Sequence, residues 1–381
     1  MSSTLPTHHR ALVVESTSTP LIVEHRPVPA ATLGSAVIHV EAAGIISYQR
    51  EIYNGTRAYS FPTPLVAGMS AIGRIAALGT DATSLQHGQL VFADCMMRGR
   101  DNPDNAFLLS IHDGGSLGSK KLARDVWRDG TFAEYAMFPL ENCIPLDEAR
   151  LCRELGYEIK DLMYMDYLLV AFGGLRDIKL EPGETIVVSP ATGGYGGAAV
   201  MVAIAMGARV IAMGRNETEL ARMKKHVLDG SPNASIETVK MTGDESADAA
   251  SLKAFGTIDA VIDFTPPQAS KSSHLRSAVH AIRKKGRISL MGLNENPMVP
   301  WTGISKDLMF KGKLMYERED MVQFVKMLER GLFPRGKHFV DTRDFRLEDW
   351  AAGLDAAAEH TGISKHVVFV PKSNARTEPI R

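Results

Sequence analysis

The chain has 381 residues, 45% of them hydrophobic, which is long for a single core and fits two domains. Its 43 basic and 44 acidic residues give a net charge of −1, so no overall basic field favours nucleic acid or an anionic membrane as a partner. Cys95, Cys143 and Cys152 form no C-x-x-C pair, and residues 1–10 are polar. These features argue against a disulfide framework and a signal peptide, and they predict a cytoplasmic protein.

The first third of the chain is predicted to be rich in β-strands. Apolar runs at residues 10–15, 21–24 and 36–42 have the length and pattern of strands, and prolines and glycines then separate further short runs. Residues 96–129 interrupt this pattern, because they are rich in Arg, Asp, Asn and Gly. They are predicted to form a long surface loop, after which strand character resumes at residues 131–139.

The middle of the chain changes to an alternation of strands and helices. After a helical stretch at 148–175, strands are predicted at residues 185–189, 209–213, 236–241, 258–264 and 287–293. The helices between them are predicted at residues 217–228, 247–255 and 271–285. This alternation indicates a parallel sheet with right-handed crossovers. The tail is predicted to add helices at 318–331 and 347–360 and a strand at 366–371.

A glycine-rich turn, residues 191–199 (ATGGYGGAA), joins the first of these parallel strands to its helix. Glycines allow a tight turn and the close approach of a diphosphate, while the N–H groups and the dipole of the helix attract the anion. The segment therefore predicts a dinucleotide site, although such a turn can also serve tight packing alone. The residues expected to line the diphosphate are Thr192, Gly193, Gly194, Tyr195 and Gly196, with Tyr195 alternatively only covering the turn.

The end of the second parallel strand predicts which dinucleotide binds. NAD-specific pockets place Asp or Glu there to bond the ribose 2′-OH, whereas this chain has Gly214, followed by Arg215 and Asn216. Glycine leaves room for a phosphate, Arg215 offers a planar guanidinium for bidentate binding, and Asn216 adds a neutral donor. The pattern predicts NADPH as the cofactor. The alternative is that Arg215 is only a surface residue at the start of a helix.

Short motifs over nearly the whole chain resemble, in family order, those of the medium-chain dehydrogenases/reductases. They are 40–44 (VEAAG), 64–68 (PLVAG), 72–75 (IGRI), 78–79 (LG), 130–135 (GTFAEY), 182–185 (PGET), 191–199, 285–288 (KGRI), 347–349 (LED) and Lys365. The resemblance implies a β-rich GroES-like catalytic domain from residues 1–166 and 318–381. An α/β Rossmann domain with a doubly wound parallel sheet, residues 167–317, is inserted between these parts.

The same resemblance assigns further cofactor contacts. Thr265 and Gly292 are at the ends of two of the predicted strands, and the carboxyl ends of parallel strands face the crevice in which ligands bind. The family therefore implies that both lie near the ribose and nicotinamide. Lys365 resembles a family position near the cofactor, with a solvated lysine as the alternative.

Two departures from the family pattern concern zinc. Zinc-dependent members carry Cys where this chain has Ile46 and Gly-His-Glu where it has Gly68-Met69-Ser70, and the stretch after Cys95 lacks the cysteines of a structural site. Ile and Met cannot supply the S, N or carboxylate ligands that Zn²⁺ prefers. The chain is therefore similar to the zinc-independent branch, with the quinone oxidoreductases and enoyl reductases. Ile46 and Met69 are expected to line a substrate pocket instead.

Without a metal, a side chain or water must supply the proton for the reduced substrate. Tyr59 lies in the segment where some enoyl-reductase relatives place a tyrosine acid, and Tyr48 follows Ile46 by two residues and is expected to face the cleft. Both are candidate catalytic residues. The alternatives are loop packing for Tyr59 and substrate packing for Tyr48.

Together these observations predict an NADPH-dependent reductase that transfers hydride, without zinc, to an activated double bond, quinone or carbonyl of a small apolar substrate. Two alternatives stay open: a zinc-independent carbonyl/alcohol oxidoreductase, and a non-catalytic NADPH-binding sensor protein. The resemblance further implies a homodimer. The run 313–316 (KLMY) is predicted to be the edge strand through which it forms.

Overall fold

The computed structural model describes residues 5–295 and 299–371. The strands in these ranges are β1 (His8–Val14), β2 (Ile22–Pro27), β3 (Ser35–Ile45), β4 (Leu65–Val66), β5 (Ala71–Leu78), β6 (Leu90–Ala93), β7 (Met96–Arg98), β8 (Ala106–Leu108), β9 (Tyr135–Pro139), β10 (Cys143–Pro145), β11 (Thr185–Ser189), β12 (Arg209–Gly214), β13 (Ile236–Lys240), β14 (Ala260–Asp263), β15 (Arg287–Leu290), β16 (Met309–Gly312), β17 (Asp341–Phe345) and β18 (Lys365–Phe369). The helices are α1 (Gln49–Tyr53), α2 (Leu117–Asp125), α3 (Met165–Asp177), α4 (Gly194–Ala205), α5 (Glu217–Gly230), α6 (Glu245–Lys253), α7 (His274–Ala281), α8 (Pro300–Ser305), α9 (Arg318–Glu329) and α10 (Trp350–Glu359).

The chain divides into two compact units. Unit 1 comprises residues up to Tyr164, Thr342–His360 and the residues from His366, and unit 2 comprises Met165–Asp341 and Thr361–Lys365. Unit 2 therefore extends to Asp341, beyond the predicted domain end at residue 317. The reason is α9, which packs on α3 within unit 2 and brings the ring centroids of Phe172 and Phe324 to 5.5 Å.

Unit 1 is built mainly from antiparallel sheets. The larger sheet has the order β10-β6-β5-β3-β18-β17, with β9 also paired to β3, and a smaller sheet has the order β2-β1-β4. The long strand β3 is mostly buried, and the C-terminal strand β18 pairs with it, Val367 opposite Ile45. Phe369 of β18 packs edge-on against Phe132, with ring centroids 4.7 Å apart. The C-terminal tail thus completes the β-rich domain, as the family resemblance implied.

The segment 96–129 is more ordered than the predicted surface loop. Its first part forms the hairpin β7–β8, and its second part forms α2. The hydroxyl of Ser116 caps α2 by accepting the N–H of Ser119 at 3.0 Å. The buried residues of this helix, Ser119 and Ala123, are small, and the helix is polar on average, so its sequence carries little apolar signal. The prediction of a loop was wrong for this reason.

Unit 2 is centred on a parallel sheet with the order β13-β12-β11-β14-β15-β16. Its first strand lies in the middle and the chain winds outward in both directions, which is the doubly wound order. Val187, Ile211, Val261 and Ile288 of four adjacent strands are fully buried in its core. The predicted fold class, a doubly wound Rossmann sheet and a GroES-like domain in one α/β chain, is confirmed.

The edge of this sheet is β16, and the predicted edge run 313–316 follows it. Tyr316 in that run is fully buried, and a Cβ on Gly173 of α3 would lie 2.7 Å from its Cβ. The run forms no strand, and its end, Met315 and Tyr316, packs onto α3, so its assignment as the edge strand was wrong. In the part of the chain that the structure describes, every helix is too short or too polar to cross a lipid bilayer.

Candidate dinucleotide and substrate sites

The glycine turn in unit 2 has the geometry that a diphosphate requires. Gly193 is the N-cap of α4, and no side chain caps the helix there. The first N–H groups of a helix have no carbonyl partner within it, so they are available to an anion. A Cβ on Gly193 would meet nothing within 4 Å, whereas one on Gly196 would lie 2.1 Å from the carbonyl oxygen of Pro190. The turn is thus tight at Gly196 and open at Gly193, and it fits a dinucleotide.

The side chains around the turn are held by packing. The ring of Tyr195 stacks on Phe264 at a centroid distance of 6.1 Å and contacts Tyr167 at 4.7 Å. A Cβ on Gly194 would lie 2.8 Å from the Tyr167 ring. The side chain of Tyr195 therefore covers the turn, which was the alternative reading of this residue, while its N–H belongs to the first turn of α4.

Thr192 links the turn to the end of β12. A Cβ on Gly214 would lie 3.2 Å from Thr192 Cγ2 and 3.4 Å from Leu220 Cδ2. The end of β12 is therefore packed closely against Thr192 and Leu220, and the room for a phosphate at Gly214 stays a prediction. The absence of a carboxylate at position 214 still removes a charge that would repel a phosphate.

Arg215 and Asn216 lie directly beyond β12. Arg215 is exposed, and its guanidinium makes no hydrogen bond or ion pair with any residue that the structure describes. The Oδ1 atom of Asn216 accepts the N–H of Glu219 at 3.2 Å and so caps α5. The side-chain N–H groups of Asn216 and of the Arg215 guanidinium are therefore available to donate hydrogen bonds to a ligand.

Thr265 takes part in a buried cluster that sequence reasoning missed. Its hydroxyl donates to the carboxylate of Asp263 and lies 2.9 Å from Nε2 of His274. The same Nε2 atom lies 3.0 Å from Oδ1 of Asp263, and the side chains of Asp263 and His274 are almost completely buried. The side chain of Thr265 thus points inward. A Cβ on Gly292 would lie 2.1 Å from the Thr265 nitrogen, so the ends of β14 and β15 are in close contact. The sequence signal that pointed to this cluster was Asp263, a carboxylate at the end of an otherwise apolar strand.

The short segment Thr361–Lys365 joins unit 2 at the same turn. A Cβ on Gly197 would lie 2.6 Å from the Cα of Ile363, so the two backbones touch. Lys365 is half-buried two residues further on. A cofactor contact of Lys365 stays a prediction.

In unit 1, hydrogen bonds join the two segments that carry Ile46 and Met69. The N–H of Ile46 donates to Oε1 of Gln49 at 3.1 Å, and Nε2 of Gln49 donates to the hydroxyl of Tyr53 at 3.1 Å. The same hydroxyl accepts the N–H of Gly68 at 2.8 Å. Tyr53 is fully buried, and burial raises its pKa, so the phenol stays neutral. Sequence reasoning missed Gln49 and Tyr53.

The chemistry of these positions does not fit a metal site. Ile46 and Met69 are buried and offer a hydrocarbon and a thioether. Over residues 5–295 and 299–371, no three His, Cys, Asp or Glu side chains are grouped so that they could hold a metal ion.

The two candidate tyrosines are brought together by a cation. The guanidinium carbon of Arg57 lies 3.9 Å from the ring centroid of Tyr48 and 5.1 Å from that of Tyr59. The ring of His112 meets Tyr59 edge-on at 5.5 Å. Both tyrosines are half-buried. Nothing in the sequence marked Arg57 or His112 as members of this cluster.

Comparisons with known proteins agree with this architecture. Residues 33–148 match the family model of the alcohol dehydrogenase GroES-like domain, and residues 194–330 match that of the zinc-binding dehydrogenases. Alcohol dehydrogenase 1 of Caenorhabditis elegans is 25% identical over 87% of this chain and 90% of its own. L-Threonine 3-dehydrogenase of Ruegeria pomeroyi is 27% identical over 90% of this chain and 94% of its own.

Solved structures share the fold over almost the whole chain. A putative alcohol dehydrogenase of Sinorhizobium meliloti 1021 has a TM-score of 0.72 at 22% identity, covering 97% of this chain and 98% of that one. A short chain alcohol dehydrogenase of Escherichia coli CFT073, solved with NADH, has a TM-score of 0.74 at 19% identity. The match covers 96% of this chain and 100% of that one.

The fold, the glycine turn and these matches define an oxidoreductase that uses a nicotinamide dinucleotide. The chain belongs to the medium-chain dehydrogenase/reductase family, of the type that includes the alcohol and threonine dehydrogenases.

Proposed function

We propose that the protein is an NADPH-dependent reductase that acts, without zinc, on an activated double bond, quinone or carbonyl of a small apolar substrate. The observation that carries this proposal is the replacement of metal ligands by Ile46 and Met69. A zinc ion would polarise a saturated alcohol or its ketone as a Lewis acid. Because this chain offers no such ligands there, an acceptor that is already activated is the chemically easier substrate.

The selection of NADPH rests on Arg215. Reduced nicotinamide supplies the hydride when the cofactor is bound. The guanidinium of Arg215 has no partner among the described residues, lies one residue beyond β12 and can bond a 2′-phosphate through two N–H groups. A carboxylate that would bond the 2′-hydroxyl of NADH is absent at position 214.

Tyr59 and Tyr48 supply hydrogen bonding to the substrate in this proposal. A phenol hydroxyl donates to the carbonyl or enolate oxygen on which negative charge develops, and it can deliver the proton there. The guanidinium of Arg57 against both rings adds positive charge near that oxygen and holds the two rings in place. Ile46 and Met69 provide apolar surface for the substrate.

A zinc-independent carbonyl/alcohol oxidoreductase is the second candidate, and it is favoured by the relatives that are named alcohol dehydrogenases. Consumption of NADPH by purified protein separates the candidates. Turnover with enones and quinones but not with isolated ketones supports the first, and turnover with isolated ketones, or of alcohols with NADP⁺, supports the second. Tight NADPH binding without turnover on a broad panel of acceptors indicates a sensor protein.

The metal content is a separate test of the same proposal. Protein purified without added metal is expected to hold no stoichiometric zinc, and a chelator is expected to leave its activity unchanged. One zinc ion per chain, with activity lost to the chelator, would overturn the zinc-free mechanism.

We further propose a cytoplasmic homodimer that forms through the β16 edge of unit 2. An edge strand presents unpaired backbone groups that a second copy can pair. Large apolar side chains are exposed on and near β16, at Trp301 (77%), Ile304 (68%), Met309 (50%) and Leu314 (68%). An exposed group of this kind is typical of a protein–protein contact.

A further inference from the structure

A cavity of about 240 Å³ opens in unit 1 beside β1, β2, β9 and the end of α2. We call it the Arg128 cavity. It contains none of the residues assigned above to the cofactor or the substrate. The side chains with hydrogen-bond donors in its lining are His9, Arg26, Arg124, Trp127, Arg128 and Tyr135.

The imidazole of His9 is a fixed donor in this lining. Its Nδ1 atom accepts the N–H of Tyr135 at 3.1 Å, so the neutral ring carries its proton on Nε2. His9 is only 5% exposed, and Nε2 has no hydrogen-bond partner among the described residues. Nε2 of His9 is therefore a donor that a ligand in the cavity can use.

Arg128 provides a second unsatisfied donor. Its Nε atom is buried and has no hydrogen-bond partner within the described ranges. The nearest carboxylate oxygen, Asp129 Oδ1, lies 3.5 Å away and accepts the N–H of Val66 at 2.9 Å.

The other charges of the cavity are neutralised locally. Both carboxylate oxygens of Asp125 bond the Arg124 guanidinium, at 2.7 and 2.9 Å, and Arg26 pairs with Glu24 at 3.3 Å. Both oxygens of Asp125 are therefore occupied by Arg124, while Nε2 of His9 and Nε of Arg128 have no hydrogen-bond partner among the described residues. Apolar walls complete the cavity, from Trp127, Pro27, Val126 and Met137.

We propose that the Arg128 cavity binds a small organic anion, in which a carboxylate or phosphate group is joined to a planar apolar group. The oxyanion accepts hydrogen bonds from Nε2 of His9 and from the guanidinium of Arg128. The apolar group packs against Trp127. Charge-assisted hydrogen bonds to arginine are the strongest kind that such a cavity offers.

Calorimetric titration of the full chain with benzoate, phenyl phosphate and the uncharged benzamide tests this proposal. Saturable binding of one anion per chain is expected, with benzamide at least about tenfold weaker because it lacks the charge. A preference for benzoate or for phenyl phosphate distinguishes a carboxylate from a phosphate ligand. No saturable binding of either anion below about 10 mM would overturn the proposal.

Variants assign the binding to this cavity. Arg128→Gln and His9→Gln are each expected to weaken anion binding at least about tenfold. The matched control is Arg100→Gln, because Arg100 is an exposed arginine of unit 1 that pairs with Glu141 outside the cavity. Binding should also quench tryptophan fluorescence in the wild type but not in Trp127→Phe. Unchanged affinity in a folded Arg128→Gln protein would place the anion elsewhere and refute the proposal.

Discussion

At the scale of single residues, Arg57 holds the two candidate catalytic tyrosines, Tyr48 and Tyr59, in one cluster. The guanidinium of Arg57 contacts the faces of both rings, so each tyrosine restrains the other through a shared cation. In the proposed reaction the two tyrosine hydroxyls are the donors for the substrate oxygen.

We predict that Tyr59→Phe lowers kcat by about 10²-fold or more, which is the scale of general-acid help. The ring remains to pack on Arg57 and His112, so NADPH affinity and stability should not change. Steady-state kinetics with the best acceptor and a fluorescence titration with NADPH provide the measurements. If kcat is undiminished, Tyr59 is a packing residue, and Tyr48→Phe becomes the decisive variant.

We predict that Arg215→Ala weakens NADPH binding at least about tenfold, since a hydrogen bond to a charged group contributes roughly 1.5–3 kcal/mol. NADH affinity should barely change, because NADH has no 2′-phosphate. Arg335→Ala is a matched control, since Arg335 is also an exposed arginine of unit 2. Equal losses for both cofactors, or a wild type that prefers NADH, would refute this assignment.

At the scale of secondary-structure elements, β14 and α7 are joined by the buried pair Asp263–His274. His274 begins α7, and Asp263 is the last residue of β14. Thr265 completes the cluster from the loop that follows the strand. Removal of one partner from this buried, hydrogen-bonded pair leaves the polar atoms of the other without compensation.

We predict that His274→Leu lowers the free energy of unfolding by about 3–5 kcal/mol. The double variant His274→Leu/Asp263→Val should recover part of this loss, since it leaves no buried carboxylate. The control is His280→Leu on the same helix, which breaks a half-exposed pair with Glu245 and should cost less than about 1 kcal/mol. Urea unfolding measures all three. Similar losses for the His274 and His280 variants would contradict the argument.

The same scale shows what sequence reasoning could and could not predict. The parallel strands of unit 2 are apolar runs bounded by turn signals, so their positions along the chain and the glycine turn were predictable. Helix α2 was not, because it buries only Ser119 and Ala123. The Asp263–His274 and Arg57–tyrosine contacts were not predictable either, since each depends on how loops return to a site, which a residue pattern does not encode.

At the scale of the whole molecule, the proposed dimer has a direct test. We predict that Trp301→Glu combined with Leu314→Glu converts the dimer into a species of 41.5 kDa, because charges replace exposed apolar contact area. Sedimentation at micromolar concentration measures the mass. Leu117→Glu is the control, since Leu117 is a 90% exposed leucine of unit 1. A wild type that sediments only as 41.5 kDa would contradict the dimer.

The contact between Gly197 and Ile363 has a consequence for how the protein is made. Residues 361–365 complete the packing behind the glycine turn, and the strand that follows them pairs with β3 near the start of the chain. During synthesis both units must therefore wait for the same late stretch to leave the ribosome. Translation that stops shortly before residue 361 should release a chain with two unfinished cores, whose exposed β3 edge is open to aggregation.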